Sequence, residues 1–374
     1  MPNWLRSVDE VLAVLDGAVP ELPRLLAAAE GAPLFVVGGT VRDLMLGRGR
    51  TDLDVAVTGD VAAVARRLGG EVTEHERFST AKVNLPGADI DLARTRSESY
   101  PEPGALPVVE PAEIIDDLAR RDFTVNAMAL VLGDDPGLLD PYSGRKDLSE
   151  GVLRVLHDAS LQDDPTRALR GARYAARFEL CPDADTERLL RSTDLTTISD
   201  DRRQAEMRRI AAEPSARQAF TLLAEWGLLD VSPEQLRLAE KAAELLAAPP
   251  WSAVADHEET VLAAMAGESA TVKRLTAASP SRPSEGVELA RGAASAELAL
   301  ARAAGASWLD DYVSEWRSVV LEISGRDLMA EGVPEGPAIG EALGETLRRK
   351  LDGEVSGRDT ELRTALELSG RESA

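Results

Sequence analysis

Two glycines and two nearby carboxylates, in Gly38-Gly39-Thr40-Val41-Arg42-Asp43 and Asp52-Leu53-Asp54, have the residue types that nucleotidyl transfer needs. The apolar run Leu34-Phe35-Val36-Val37 has strand character, and the glycines after it let the backbone turn sharply and approach a phosphate. The spacing predicts a helix over 41–46, with Thr40 as its cap, Gly47 as its stop and free N–H groups aimed at the turn. Arg42 would add a mobile cation. On a strand over 52–57, Asp52 and Asp54 share one face while Leu53, Val55 and Val57 point to the core. Two such carboxylates repel each other unless a divalent cation sits between them. Asp91, in Asp89-Ile90-Asp91, offers a third carboxylate if its strand neighbours the first, with Asp89 as the competing choice.

A second constellation runs Asp163-Asp164-Pro165-Thr166-Arg167-Ala168-Leu169-Arg170-Gly171-Ala172-Arg173-Tyr174-Ala175-Ala176-Arg177-Phe178. Pro165 suits the first turn of a helix, and steps of three or four string Asp164, Arg167, Arg170 and Arg173 along one stripe while Leu169, Ala172 and Ala176 pack inward. A carboxylate accepts from the exocyclic amino group of cytosine or adenine, and a guanidinium donates to the neighbouring ring acceptor. Uracil and guanine present a carbonyl there and are repelled, so an Asp164/Arg167 pair can select C and A without a nucleic-acid template.

These side chains require a strand-turn-helix-strand unit followed by a helix. Strands are expected over 34–37, 52–57, 81–85 and 89–93, a helix over 61–68, and a hairpin turn at Pro86-Gly87-Ala88. Tyr100 to Pro107 should form a mobile loop beside the site, and 122–130 a helix-to-strand return. Beyond about residue 160 the chain reads as helical, interrupted at 279–286 by a linker or long loop.

With 374 residues, the chain has room for more than one domain. One cysteine, Cys181, rules out an internal disulfide or a thiolate zinc site and suits a reducing cytoplasm. No run reaches the roughly 20 apolar residues of a membrane span, and the start lacks signal-peptide character. The net charge of -23 argues against a broad nucleic-acid surface, but between Arg154 and Arg217 twelve arginines balance twelve acids. An arginine-lined groove in an acidic protein would bind nucleic acid weakly and with strong salt dependence.

The set Gly38–Asp43 with Asp52-Leu53-Asp54, Arg120-Arg121-Asp122-Phe123-Thr124-Val125-Asn126-Ala127, Asp140 to Gly144, Asp163 to Arg173, and Asp201 to Glu206 resembles the class II tRNA nucleotidyltransferase and bacterial poly(A) polymerase family. The resemblance covers roughly residues 34–210, with a weaker match at 325–332 and 350–353. It implies an α+β fold: a polymerase-β-like nucleotidyltransferase head with a mixed sheet (1–150), a helical neck with a nucleotide-selecting helix (151–220), and a helical body and tail that bind RNA (221–374). It implies Mg2+ on Asp52 and Asp54, with Asp91 as the third catalytic carboxylate. Gly38, Gly39 and Arg42 would meet the triphosphate, Arg121 and Asp122 the ribose, and Asp164 and Arg167 the base, with Arg170 and Arg173 supporting them. Arg202 and Glu206 resemble a stabilising neck motif, and 140–144 a segment that helps head and neck move. The implied substrates are ATP, CTP and the tRNA 3′ end, with no membrane partner and the oligomeric state left open. Enzymes of the family that add only C are associated with loss of the loop over 94–122, which is retained here. Partial CC-adding, A-adding and poly(A)-forming enzymes remain alternatives, as does an inactive RNA-binding homologue.

Overall fold

A computed structural model describes residues 5–18, 21–48, 52–75, 79–85 and 88–370, with backbone alone at 18, 52 and 75. The turn residues Pro86 and Gly87 lie outside the described residues, as do Thr51 and the start at 1–4. The chain divides into two compact units, Met1–Asp230 and Val231–Ala374, so the expected head and neck fall in one unit.

The first unit begins with α1 (Val8–Ala18) and α2 (Leu22–Ala29), then β1 (Leu34–Val37), α3 (Gly39–Met45), β2 (Asp52–Val57), α4 (Val61–Leu68), β3 (Glu71–His75), β4 (Thr80–Leu85) and β5 (Ala88–Arg94). A hairpin follows, β6 (Arg96–Ser99) with β7 (Val108–Pro111), then α5 (Ile114–Ala119), β8 (Ala129–Leu132), β9 (Gly137–Leu139) and α6 (Gly144–Glu150). Seven strands make one mixed sheet in the order β3-β4-β5-β2-β1-β8-β9, in which β2 and β5 run parallel and the other neighbours antiparallel. Apolar alternation fixes the register: in β4 and β5 Ala81, Val83, Leu85, Ala88, Ile90 and Leu92 are buried, leaving the polar residues on the other face. Asp60 caps α4, whose Val61, Val64, Ala65 and Leu68 are buried.

After the two-residue strand β10 (Val152–Leu153) come the short α7 (Ser160–Asp163) and α8 (Thr166–Phe178). The Asp164 carboxylate accepts from the Thr166 N–H and hydroxyl at 3.0 and 2.6 Å, and this starts α8. Leu169, Ala172 and Ala176 are buried, as the stripe predicts. Then β11 (Cys181–Pro182), α9 (Ala184–Arg191), α10 (Asp200–Ala211) and α11 (Ala216–Glu225) complete the unit.

An ion pair between buried Asp122 and half-buried Arg170 joins α8 to the sheet-bearing part. Arg170 donates to the Asp122 carboxylate at 2.8 Å, and Asp122 also accepts from the Phe123 N–H and the Asn126 side chain, both at 2.9 Å. Burial would push the Asp122 carboxyl up, but Arg170 and the Asn126 amide overcome it and hold it at about 2, while Asp122 raises the Arg170 guanidinium. Beside it, Asp140 accepts from the Gly144 and Arg145 N–H groups at 2.7 and 3.0 Å, and the Thr124 hydroxyl donates to Asp147 at 2.7 Å. Any Cβ on Gly144 would run into the Thr124 carbonyl.

The second unit is helical, from Pro233–Leu246 to Arg358–Leu368, with one core around Trp251, Leu298, Leu300 and Leu309 and another around Ile323, Leu328, Ile339 and Ala365. The expected linker at 279–286 is only partly irregular, because Pro283 opens the helix Pro283–Ala290 at a position that needs no N–H. Among the described residues no helix is long and apolar enough to cross a membrane.

Gly144→Ala should lower stability by at least about 2 kcal/mol, because the clash is with backbone rather than a movable side chain, and urea unfolding checks it. The depressed Asp122 carboxyl contributes stability that is present above its unfolded value of 3.8 and lost as pH falls toward about 2. In Asp122→Asn the stability at neutral pH should drop, and roughly 2 kcal/mol of the acid-induced loss between pH 4 and pH 2 should disappear from a urea-midpoint series.

Candidate active site

Gly38 stands just before α3 with φ 66° and donates its N–H to the Met128 carbonyl at 3.1 Å. A Cβ there would strike the Arg121 guanidinium, so the glycine lets Arg121 lie over the turn. Thr40 is inside α3 rather than its cap: no side chain caps this helix, and the Thr40 hydroxyl instead donates to Asp54 Oδ2 at 3.0 Å. The sequence pattern suggested a cap because a threonine after a glycine pair fits that role equally well.

Arg42 is not a mobile cation. Its side chain is buried, donates to Asp43 at 2.9 and 2.7 Å and to Asn126, and stacks over the Phe178 ring at 4.1 Å. Burial lowers its pKa, opposed by Asp43.

Asp54 on β2 is the register partner of Asp91 on β5, and Asp52 that of Asp89. Partners on adjacent strands share a face, so Asp54 and Asp91 both line a cleft of about 640 Å³ together with Gly39, Arg42, Arg121, Arg170 and Arg173. The Asp52 backbone belongs to β2; its side chain is not among those described. Asp89 is not among the residues lining that cleft, unlike Asp91, and its carboxylate has Lys82 Nζ at 3.7 Å. Among the described residues no group of three acidic, histidine or cysteine side chains is placed to hold a metal. The described donors in the cleft are the carboxylates of Asp54 and Asp91, an oxygen-only set with Asp91 exposed, which suits a hard cation such as magnesium.

A second hollow of about 220 Å³ holds the expected reading pair Asp164 and Arg167, with Asp122 expected at the ribose and Arg170 as a support, alongside Glu98, Tyr100, Arg120 and Asn126. It shares Gly39, Arg121, Arg170 and Tyr174 with the cleft. Arg202 donates to Asp164 Oδ1 at 2.7 Å, so that oxygen is fixed and Oδ2 is left to accept. Arg167 donates to Ser160 Oγ at 2.8 Å, to the Arg120 carbonyl at 2.7 Å and to the Tyr100 hydroxyl at 3.3 Å. Burial, opposed by Arg167 and aided by Glu98, pushes the Tyr100 phenol up to about 12. It therefore stays protonated and donates to Glu98 at 2.9 Å. Arg121 is anchored on buried Asp117 at 2.9 Å. Arg173 and Arg177 both donate to Glu213, at 3.3 and 3.1 Å.

The loop over 100–107 lies beside the site as expected, but it is held there: Gly104 donates to the Gln162 carbonyl at 3.2 Å and accepts from Arg202 at 2.8 Å. The sequence pattern assigns no role to Lys82, Glu98 or Asp117, and none of their own to Tyr100, Tyr174 and Arg177. Period-two alternation in β4 puts Lys82 on the cleft face, and the i+4 step from Arg170 reaches Tyr174, whose hydroxyl accepts from Arg170 at 3.0 Å. No local pattern marks Glu98 or Asp117, which act through pairs formed across the fold.

The sequence pattern of the poly A polymerase head domain matches residues 34–154. A CC-adding tRNA nucleotidyltransferase of Deinococcus radiodurans is 36% identical over 355 residues, 91% of this chain and 90% of that protein. An A-adding tRNA nucleotidyltransferase of Halalkalibacterium halodurans is 41% identical over 211 residues, 53% of this chain, and the chain spans 49% of its length. The structure of the Thermotoga maritima CCA-adding enzyme complexed with tRNA is similar with a TM-score of 0.75 at 26% identity, over 98% of this chain and 99% of that one. With its sheet-borne carboxylates, its anchored arginines and a near full-length relative at this identity, the chain belongs to the tRNA nucleotidyltransferase family.

Proposed function

We propose that the protein adds or repairs the 3′-terminal CCA of tRNA in the cytoplasm, using CTP and ATP, releasing pyrophosphate and requiring magnesium. One observation carries this reading: the carboxylate cleft and the pocket of Asp164 and Arg167 adjoin, with Gly39, Arg121, Arg170 and Tyr174 lining both. A nucleotide with its triphosphate at the glycine turn can therefore present its base edge to α8.

Asp52 and Asp54 would hold the cation, with Thr40 orienting Asp54. When bound, the cation neutralises triphosphate charge and acidifies the attacking hydroxyl. Asp91 takes the proton from the tRNA 3′-hydroxyl, whose oxygen forms the bond to the α-phosphorus. The bond from that phosphorus to the bridging oxygen breaks, and pyrophosphate leaves toward Gly39 and Arg121. Asp164 Oδ2 accepts from the amino group of cytosine or adenine, and Arg167 exchanges its long contact with Tyr100 for the adjacent ring acceptor. Arg121 and Asp122 are proposed at the ribose, although both Asp122 oxygens are engaged by protein donors, so Arg121 is the side chain with capacity to spare.

The β6–β7 hairpin fills the stretch associated with addition of A as well as C, and it carries Glu98 with Tyr100 just beyond. The Deinococcus radiodurans and Halalkalibacterium halodurans relatives are named for CC and A addition, and this favours partial addition as the second reading. Incubating the protein with magnesium, CTP, ATP and tRNAs ending before CCA, after C and after CC separates them. Full CCA on all three is the expected result. Products stopping at CC, or growth only on the CC end, would replace it with a partial enzyme, and a long A tail with a poly(A)-forming one.

Arg167→Ala should cut the preference for CTP over UTP by at least tenfold, about 1.4 kcal/mol of discrimination, while total incorporation persists. Unchanged preference in competition assays would remove Arg167 from the reading pair.

A further inference from the structure

The transfer proposed above joins two polyanions, and the cations described so far serve one of them. Arg42, Arg121 and Arg170 cluster at the glycine turn and the reading pocket. On the other side of the carboxylates β4 presents Lys82. Its place is fixed by register: Lys82 is the partner of Asp91, and Asp91 the partner of Asp54, so the three share one face of consecutive strands. At about 4.8 Å per strand, the Lys82 backbone lies roughly 5 Å beyond Asp91 and roughly 10 Å beyond Asp54. The glycine turn follows β1, on the far side of β2. Thr80, two residues from Lys82 on β4, lines the cleft with it. The 3.7 Å contact of Lys82 with Asp89 joins side chains 45% and 42% exposed, a pair of little energetic worth that leaves the ammonium free to turn.

In-line displacement puts the attacking hydroxyl and the leaving pyrophosphate on opposite sides of the transferred phosphorus. With the triphosphate at the glycine turn on the β1 side, the 3′-hydroxyl approaches from the β5 and β4 side. The RNA strand that carries it then passes over β4. We infer that Lys82, with the Thr80 hydroxyl beside it, binds a backbone phosphate of the RNA acceptor strand next to its 3′-terminal nucleotide. Lys82 is thus a positioning residue: it holds register through phosphate and reads no base. In a chain of net charge -23, a cation at this spot offsets repulsion where the RNA must come closest.

This inference rests on the proposed transfer, and one set of measurements keeps the two apart. Wild type, Lys82→Ala and Lys82→Arg are compared on tRNA ending before CCA, with KM for tRNA, KM for CTP and kcat measured separately. The Kd of the same tRNA without nucleotide is measured across a KCl series. Lys82→Ala should raise the tRNA KM and Kd about tenfold, leave the KM for CTP within about twofold, and make the slope of log Kd against log salt shallower by about one. Lys82→Arg should restore tRNA affinity. An unchanged tRNA affinity and salt slope, or an equal rise in both KM values, overturns the inference. If the wild type extends no tRNA, the proposed function falls, while the nucleotide-free Kd still decides whether Lys82 holds RNA.

Discussion

The geometry of the site depends on a charge placed where water cannot reach it. The Asp122 carboxylate is buried in the part of the chain that carries the sheet, and Arg170 projects from α8 to meet it. Such a pair adds little net stability over an apolar contact of the same shape, but removing Arg170 strands the Asp122 charge in a low-dielectric interior. Its contribution is therefore positional: α8 has one seat on the head, and Asp164 and Arg167 on that helix and its approach are fixed relative to Asp54 and Asp91.

The same device recurs around the cleft. Arg42 lies on Asp43, Arg121 on Asp117, and Arg173 with Arg177 on Glu213. Each carboxylate holds its guanidinium from within the protein and leaves further N–H groups of a rigid fork for a ligand. This explains how an acidic chain can present a cationic cleft. Net charge records the sum, whereas a phosphate in the cleft meets the near arginines first and their carboxylates at greater distance.

Much of this was legible in the sequence because it rests on short-range rules. Glycines after an apolar strand, alternation in β2, β4 and β5, and the stripe on α8 each follow from local geometry, and the strands and helices appear at those positions. What escaped were features set by contacts across the fold. The burial of Arg42 is not legible locally, because besides neighbouring Asp43 it is held by Asn126, 84 residues away. Thr40 read as a cap because the strand bearing Asp54 had not yet been placed beside it. The loop at 100–107 read as mobile from its prolines, yet Arg202, 98 residues from Gly104, ties it down. Asp117 and Glu98 gave no signal, since an isolated acid acquires meaning only from the arginines it meets.

Strand order gives the site a direction that no single residue carries. From β1 to β4 the sheet presents a glycine turn, then Asp54, then Asp91, then Lys82, so phosphate donor, carboxylates and cation succeed one another along one line. The proposed base reader, Asp164 and Arg167 at the start of α8, stands off that line, and its pocket shares Arg121, Arg170 and Tyr174 with the cleft. Under the proposed roles a growing strand can advance past the carboxylates by one nucleotide without displacing the reader, because the residues assigned to backbone phosphate and those assigned to a base edge lie on different elements. Selection by protein side chains is compatible with repeated addition only under that separation. The parallel pairing of β2 with β5 helps to create it, by bringing Asp91 between Asp54 and the β4 strand that carries Lys82.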